Sequence, residues 1–168
     1  MTERKRKVLT GLSGMAVIGC LCMIWYFSSQ NGTISQDLSD GFSEKLLRLL
    51  ESLGLVGQNE EQILYWIDII GAPIRKCAHF AEYFFLALLT LAHLHVGYRK
   101  LQHKPIKAWI FVFLAASVDE IHQLFVPGRS GMVRDVLLDS FAGACAIIVV
   151  YFVKFMYTEQ KKKRCKGA

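Results

Sequence analysis

The sequence contains no internal repeat, no low-complexity tract and no shift in composition that would mark a second domain. We therefore treat residues 1–168 as a single domain. The sequence also lacks the His-Glu-x-x-His signature of a helix-borne metal site. A net charge of +6 is the only feature that suggests a nucleic-acid partner, and nothing else in the sequence supports that class.

Apolar residues, in contrast, make up 53% of the chain, far more than a soluble domain of this length needs. A membrane-spanning helix needs about 20 mostly apolar residues. Four segments meet that requirement when sparse polar insertions are allowed, namely 8–27, 77–98, 106–126 and 133–157. The sequence thus predicts an all-α integral membrane protein with four transmembrane helices.

The distribution of basic residues predicts the orientation of these helices. Of the 20 lysines and arginines, 14 lie in Arg4–Lys7, in Arg99–Lys107 and in Lys154–Lys166. With four spans these three clusters fall on one side, and the positive-inside rule makes that side cytoplasmic. Both termini are therefore expected in the cytoplasm. The five cysteines place no pair in a shared outer loop, so we expect no disulfide.

An amphipathic helical segment is expected outside the membrane between the first two spans. Apolar residues recur at helical spacing from Ser35 to Leu53, a pattern that Gly54 closes. A second, short helix is expected to begin at Asn59, where a capping pattern occurs, and to stop at Gly71 and Pro73.

Ionisable residues are concentrated at the predicted outer ends of the second, third and fourth spans. Charge in hydrocarbon is costly unless it is paired, so such residues are candidates for function. Helical spacing of three and four brings several of them onto shared faces, where one outer pocket could hold them all. The candidates are Arg75, Lys76, His79, Glu82, Tyr83, Asp119, Glu120, His122, Gln123, Arg129, Asp135 and Asp139.

Purely structural interpretations exist for the same residues. His79, Glu82 and Tyr83 could form a hydrogen-bonded lock between helices, although such locks contribute only about 1 kcal/mol in membranes. Arg75 and Lys76 could extend to the interface instead of forming an anion site. Arg129 could be a structural clamp or a phosphate ligand.

The order and spacing of these motifs resemble those of the VanZ-like family of small bacterial membrane proteins. The resemblance rests on Arg-Lys-x-Ala-His-Phe-x-Glu-Tyr from Arg75, on Asp-Glu-x-x-Gln-x-Phe-x-Pro-x-Arg from Asp119, and on Asp135 with Gly143. Ser28, Gln30 and Ser35 are similar to that family as well. The resemblance implies a protein of the bacterial cell envelope, and the family is named for low-level resistance to teicoplanin, a lipoglycopeptide antibiotic.

Three classes of function fit these observations. The first is a non-enzymatic protein that binds an anionic lipid, a lipid-linked wall precursor or a lipoglycopeptide, with Arg75, Lys76 and Arg129 holding the anion. The second is an intramembrane enzyme with the catalytic pairs His79/Glu82 and His122/Asp119, for which a divalent metal is a further option. The third, a proton-coupled transporter, would need a homo-oligomer because four spans are few.

Overall fold

The computed structural model of the protein describes residues 2–56 and 59–166, the last two of these by backbone alone. These residues form five helices and no strand, so the all-α class is confirmed for them. The helices are α1 (Glu3–Ser28), α2 (Gly32–Ser52), α3 (Glu60–Gly97), α4 (Lys104–Gln123) and α5 (Val133–Lys166).

Three helices are long and apolar enough to cross a membrane: α1, α3 and the Val133–Arg164 part of α5. Large apolar side chains such as Met15, Ile18 and Phe152 are exposed on their surfaces, as expected where a helix faces lipid. Helix α4 differs because Lys107 and Asp119 restrict its uncharged stretch to 11 residues, 108–118. A fourth span therefore stays a prediction.

Helix α3 is a single helix of 38 residues, so the predicted stop at Gly71 and Pro73 is wrong. A proline removes only one backbone donor, and long helices of membrane proteins tolerate that loss where neighbouring groups compensate. Gly71 has a packing role, since a Cβ atom there would lie 2.5 Å from an oxygen of Asp40 on α2. At about 1.5 Å per residue α3 is roughly 57 Å long, more than a bilayer's thickness.

Helix α2 begins at Gly32, where the side chain of Asn31 accepts a hydrogen bond of 2.9 Å from the Ile34 amide. It ends at Ser52, shortly before Gly54 adopts a φ of +71°. The helix in this segment is thus observed, whereas its place relative to a membrane stays a prediction.

The face that α2 buries consists mainly of small polar residues, with Leu47 as its one large apolar member among the described residues. Ser35, Ser39 and Ser43 are buried, while Leu38 and Phe42 remain 57% and 58% exposed. A water-soluble amphipathic helix buries its large apolar residues instead. Helix α2 therefore packs on α3 largely through its serines and leaves Leu38 and Phe42 exposed.

The core is formed around α3, which packs against each of the other four helices. Small residues allow α4 and α5 to approach closely, since Ala116 and Ala142 are fully buried and a Cβ atom at Gly143 would lie 2.9 Å from Val112. The main buried cluster comprises Val17, Cys20, Ile24, Tyr83, Leu86, Ala87, Val112, Ala116, Ala142 and Ala146.

One end of the bundle brings together the end of α1, the start of α2, the end of α4 and the start of α5. The Gly32 amide donates a hydrogen bond of 3.0 Å to the Pro127 carbonyl, and Gly128 follows with a φ of +73°. Gln123 of α4 donates to the Ser28 hydroxyl at 2.9 Å. We call this end, with the α3 segment 72–83 beside it, the polar end.

Candidate functional site

Two cavities lie at the polar end. The larger, which we call the groove, has a volume of about 500 Å³ and lies between α2 and α3. Apolar side chains form much of its wall, and the exposure of Leu38 and Phe42 leaves its flank open. Its lining residues are Phe27, Ser35, Leu38, Ser39, Phe42, Ile74, Arg75, Cys77, Ala78, His79, Glu82 and Arg129.

The smaller cavity, which we call the polar pocket, has a volume of about 190 Å³. It is lined by α3, by the end of α4, by the following turn and by the start of α5. Its charged and polar lining residues are Arg75, Lys76, His79, Glu120, Gln123, Ser130, Arg129, Arg134, Asp135 and Asp139.

Arg75, His79 and Arg129 line both cavities and therefore form the boundary between them. An apolar groove on one side of this boundary and a charged pocket on the other match the two halves of an amphiphile.

The Arg75 side chain is held by α2. Its guanidinium donates hydrogen bonds to the Gln36 side-chain oxygen and, at 3.3 Å, to the Ser39 hydroxyl. Both acceptors are neutral, so these contacts position the positive charge without cancelling it.

Arg129 makes comparable contacts with the end of α1. Its Nη2 donates to the Phe27 carbonyl at 3.0 Å and its Nε to the Gln30 carbonyl at 3.2 Å. These carbonyls belong to a helix end, where acceptors lack intrahelical donors. The clamp interpretation of Arg129 is therefore compatible with the geometry, and the clamp again leaves the charge uncompensated.

The two guanidiniums influence each other. Burial, and after it the positive charge of Arg75, lower the pKa of Arg129, and the carboxylates of Asp119, Glu120 and Glu82 offset part of that effect. Among residues 2–56 and 59–164, neither arginine forms an ion pair with a carboxylate. A bound anion would relieve this repulsion, because arginine binds phosphate through charge-assisted hydrogen bonds.

Two further charged contacts beside the boundary are ion pairs or potential ion pairs. Lys76 Nζ lies 2.6 Å from Asp135 Oδ1, an ion pair that joins α3 to α5. His79 Nδ1 lies 3.4 Å from Glu82 Oε2, one helical turn further along α3. Lys76 is therefore ion-paired, whereas Arg75 and Arg129 have no ion-pair partner among the described side chains.

A second group of polar side chains is buried beneath the boundary. Tyr83 and Asp119 are 0% and 2% exposed, and the Tyr83 hydroxyl lies near the carboxyl groups of Asp119 and Asp139. Gln123 donates to Asp119 Oδ2 at 3.2 Å. Within the described part of the chain, the Tyr83 hydroxyl and one oxygen each of Asp119 and Asp139 have no hydrogen-bond partner. Such groups are costly to bury and so mark a site.

The structure does not bring every candidate into the cavities. His122 lines neither of them, because its ring stacks on Trp25 at 4.3 Å and its Nε2 lies 3.1 Å from the Ser29 hydroxyl. Asp119 and Tyr83, which we also expected in the pocket, line neither cavity. Glu120, the neighbour of Asp119, lines the pocket instead and accepts a hydrogen bond of 2.8 Å from the Met132 amide.

Known proteins share this arrangement of motifs at the level of a family. A model of the VanZ/LLP1 family matches residues 14–155, nearly the whole chain. The chain belongs to this family. The resemblance inferred from the motifs is thus confirmed. No curated protein and no solved structure matches the sequence.

Sequence reasoning missed the part of the VanZ/LLP1 site that α2 supplies. Gln36 and Ser39 hold Arg75, and Phe42 lines the groove. The available signal was the spacing of Ser35, Ser39 and Ser43, four residues apart, which places three small hydroxyl groups on one helical face. The prediction instead followed the apolar residues of the same helix, which form the more conspicuous pattern.

The sequence left open whether a divalent metal binds. The described part of the structure offers no set of side chains that could hold one. Within residues 2–56 and 59–164, no three His, Cys, Asp or Glu side chains converge in a way that could hold a metal ion. We therefore assign no metal ligands. The four cysteines described, Cys20, Cys22, Cys77 and Cys145, are free.

Proposed function

We propose that this VanZ/LLP1 protein is a cell-envelope membrane protein that binds a phosphate-bearing lipid amphiphile at the polar end. One observation carries the proposal: Arg75 and Arg129 stand together, without carboxylate partners among the described side chains, where the groove meets the polar pocket. The lipid phosphate would lie between the two guanidiniums. Its hydrocarbon part would lie in the groove, which a lipid could enter through the open flank.

The proposed topology places this site at the outer face of a bacterial cell membrane. Helix α4 serves as the fourth span, so that the N-terminal residues, the connection from α3 to α4 and the end of α5 lie in the cytoplasm. The basic clusters at Arg4–Lys7, Arg99–Lys107 and Lys154–Lys166 support this orientation. The charge of Asp119 and Glu120 in α4 is tolerated because both are buried in the bundle, away from lipid.

Substitution of Arg75 by glutamine tests the binding proposal. We expect phosphatidic acid to bind the purified wild-type protein much more tightly than diacylglycerol, which lacks the phosphate. R75Q should weaken phosphatidic acid binding about tenfold or more, since a hydrogen bond to a charged group contributes about 1.5–3 kcal/mol. Native mass spectrometry of the detergent-solubilised protein measures both lipids.

Arg48 provides the matched control for this experiment. It lies on α2, lines neither cavity and pairs with Glu60 at 2.9 Å, so R48Q should leave lipid binding unchanged. Equal binding of the two lipids by the wild type would contradict the proposal.

Expression of the wild-type gene should also raise the teicoplanin concentration needed to inhibit a susceptible host, and R75Q should remove that rise while R48Q retains it.

The alternative, an intramembrane enzyme acting on the same lipid, is favoured by the position of His79. Its ring lies at the boundary, 3.4 Å from Glu82, where the bond between a lipid chain and its headgroup would lie. A histidine can act as a general base, although His79 Nδ1 makes no hydrogen bond within the described residues, so Glu82 would have to move closer to orient the ring. The second predicted pair lies elsewhere, because His122 faces Trp25.

Turnover distinguishes the two functions. If the protein is an enzyme, incubation with labelled phospholipid should release a product with the wild type and lose that release by at least a hundredfold with H79Q, since general-base catalysis contributes about 10²–10⁴. If it is a binding protein, lipid should be recovered intact while R75Q still lowers its affinity. Chromatography of the extracted lipid measures both results.

A further inference from the structure

We propose that the polar pocket selects, among phosphate-bearing lipids, those whose headgroup ends in a primary ammonium. The inference rests on the proposed function and deepens it, because it concerns what the part of the ligand beyond the phosphate must be. Beyond the two arginines and the Lys76–Asp135 pair, the pocket wall holds two acids, Glu120 and Asp139, and one cation, Arg134.

The strongest observation is the state of Asp139. Its side chain lines the polar pocket and is 1% exposed, yet one carboxylate oxygen has no hydrogen-bond partner within the described residues. A buried carboxylate oxygen without a donor is costly. A ligand that brings an N–H group into the pocket would supply the missing donor.

Neighbouring groups strengthen the preference for a donor with positive charge. Glu120 also lines the pocket, together with one further cation, Arg134, and within residues 2–56 and 59–164 neither Glu120 nor Asp139 forms an ion pair with it. Lys76, a half-buried cation in the pocket wall, is already paired with Asp135 at 2.6 Å. An ammonium group has three donors, which matches a pocket with several carboxylate oxygens.

The size of the pocket limits the headgroup. Its volume of about 190 Å³ corresponds to roughly six water-sized groups, taking about 30 Å³ for each. That space fits an ethanolamine group, whereas a disaccharide would extend out of the pocket. The groove, at about 500 Å³, corresponds to roughly 17 groups of that size, comparable with one hydrocarbon chain. The expected ligand is therefore a bilayer phospholipid, in preference to a lipid-linked wall precursor.

Phosphatidylethanolamine and phosphatidylcholine provide the sharpest comparison. Both carry one phosphate and one positive nitrogen, but only the ethanolamine nitrogen has N–H donors. We expect the wild-type protein to bind phosphatidylethanolamine about tenfold or more tightly than phosphatidylcholine, as judged by competition of the two lipids in native mass spectrometry. D139N, which keeps the volume of the side chain, should reduce that ratio to about twofold or less.

Cys77 offers a second measurement in a bilayer. It is free, exposed and lines the groove, so a bound lipid should slow its reaction with a maleimide in a variant whose other cysteines are replaced by alanine. Protection should be stronger in vesicles that contain phosphatidylethanolamine than in vesicles of phosphatidylcholine alone. D139N should abolish this difference without changing the melting temperature of the protein by more than a few degrees.

Two controls separate this inference from the proposed function. D37A removes an exposed acid of α2 outside the pocket and should keep the ratio of the two affinities. R75Q should weaken both lipids alike. Equal affinity of the wild type for both lipids, or an unchanged ratio in a folded D139N protein, overturns the ammonium site alone. Lipid binding that does not depend on phosphate or on Arg75 overturns the proposed function.

Discussion

Replacement of Tyr83 by alanine is expected to lower the free energy of unfolding by about 3–5 kcal/mol, the range seen for large aromatic side chains removed from a core. Tyr83 is 0% exposed and belongs to the buried cluster with Leu86, Val112 and Ala116. The surrounding helices cannot collapse easily into the space, because α3 packs against all four of the others. Chemical denaturation of the detergent-solubilised protein, followed by circular dichroism, measures the loss.

Replacement of Tyr83 by phenylalanine separates the ring from its hydroxyl group. The hydroxyl has no hydrogen-bond partner within the described residues, so Y83F should change the free energy of unfolding by about 1 kcal/mol or less. Y65A is the control for the alanine substitution, because Tyr65 lies on the same helix but is 63% exposed. A Y83F protein as unstable as Y83A would show that the hydroxyl has a strong partner, for which Asp119 is the nearest candidate.

The apolar runs were sufficient to predict helices α1 and α5, because about 20 mostly apolar residues in succession leave few alternatives, and α4 was predicted from a shorter run in which polar insertions were allowed. The family followed from three motifs in order. The length of α3 could not be predicted in the same way. Gly71 and Pro73 are stop signals in local sequence, and only the packing of α2 against Gly71 shows why the helix continues through them.

The positions of the site residues were predictable only to the nearest helical face. From Asp119, the side chains of His122 and Gln123 point about 60° to one side and about 40° to the other, since each residue turns the helix by about 100°. Spacing alone therefore groups all three. The structure keeps Gln123 hydrogen-bonded to Asp119 but separates His122, whose ring stacks on Trp25 of α1.

The buried face of α2 was hidden for a different reason. Hydrophobic periodicity identifies the inward face of a helix when water is outside, and that rule would not apply to α2 if, as we propose, its outer face meets lipid. Ser35 and Ser39 are buried, and Ser39 accepts a hydrogen bond from Arg75 of α3. In the proposed arrangement Leu38 and Phe42, at the open flank of the groove, stand where a lipid chain could enter.

The close contact between the start of α2 and the turn after α4 should make Gly32 the least tolerant glycine of that helix. A Cβ atom at Gly32 would overlap the carbonyl oxygen of Gly128, and the Gly32 amide is bonded to the Pro127 carbonyl at 3.0 Å. The Cβ atom would overlap backbone atoms of Gly128, so no side-chain rotation relieves the clash. We expect G32A to lower the free energy of unfolding by about 3 kcal/mol, the upper part of the range for overpacking.

Gly41 lies on the same helix, and a Cβ atom there would have no neighbouring atom within 4 Å, so G41A is the matched comparison. It should raise stability by about 0.5–1 kcal/mol, because alanine is the better helix former. Thermal unfolding in detergent should therefore move in opposite directions for the two variants. Since any shift of the start of α2 also moves Gln36 and Ser39, which hold Arg75, G32A should weaken phosphatidic acid binding as well. Equal melting temperatures of G32A and G41A would contradict this prediction. They would show that the start of α2 can move away from Gly128, and that α2 does not fix the position of Arg75.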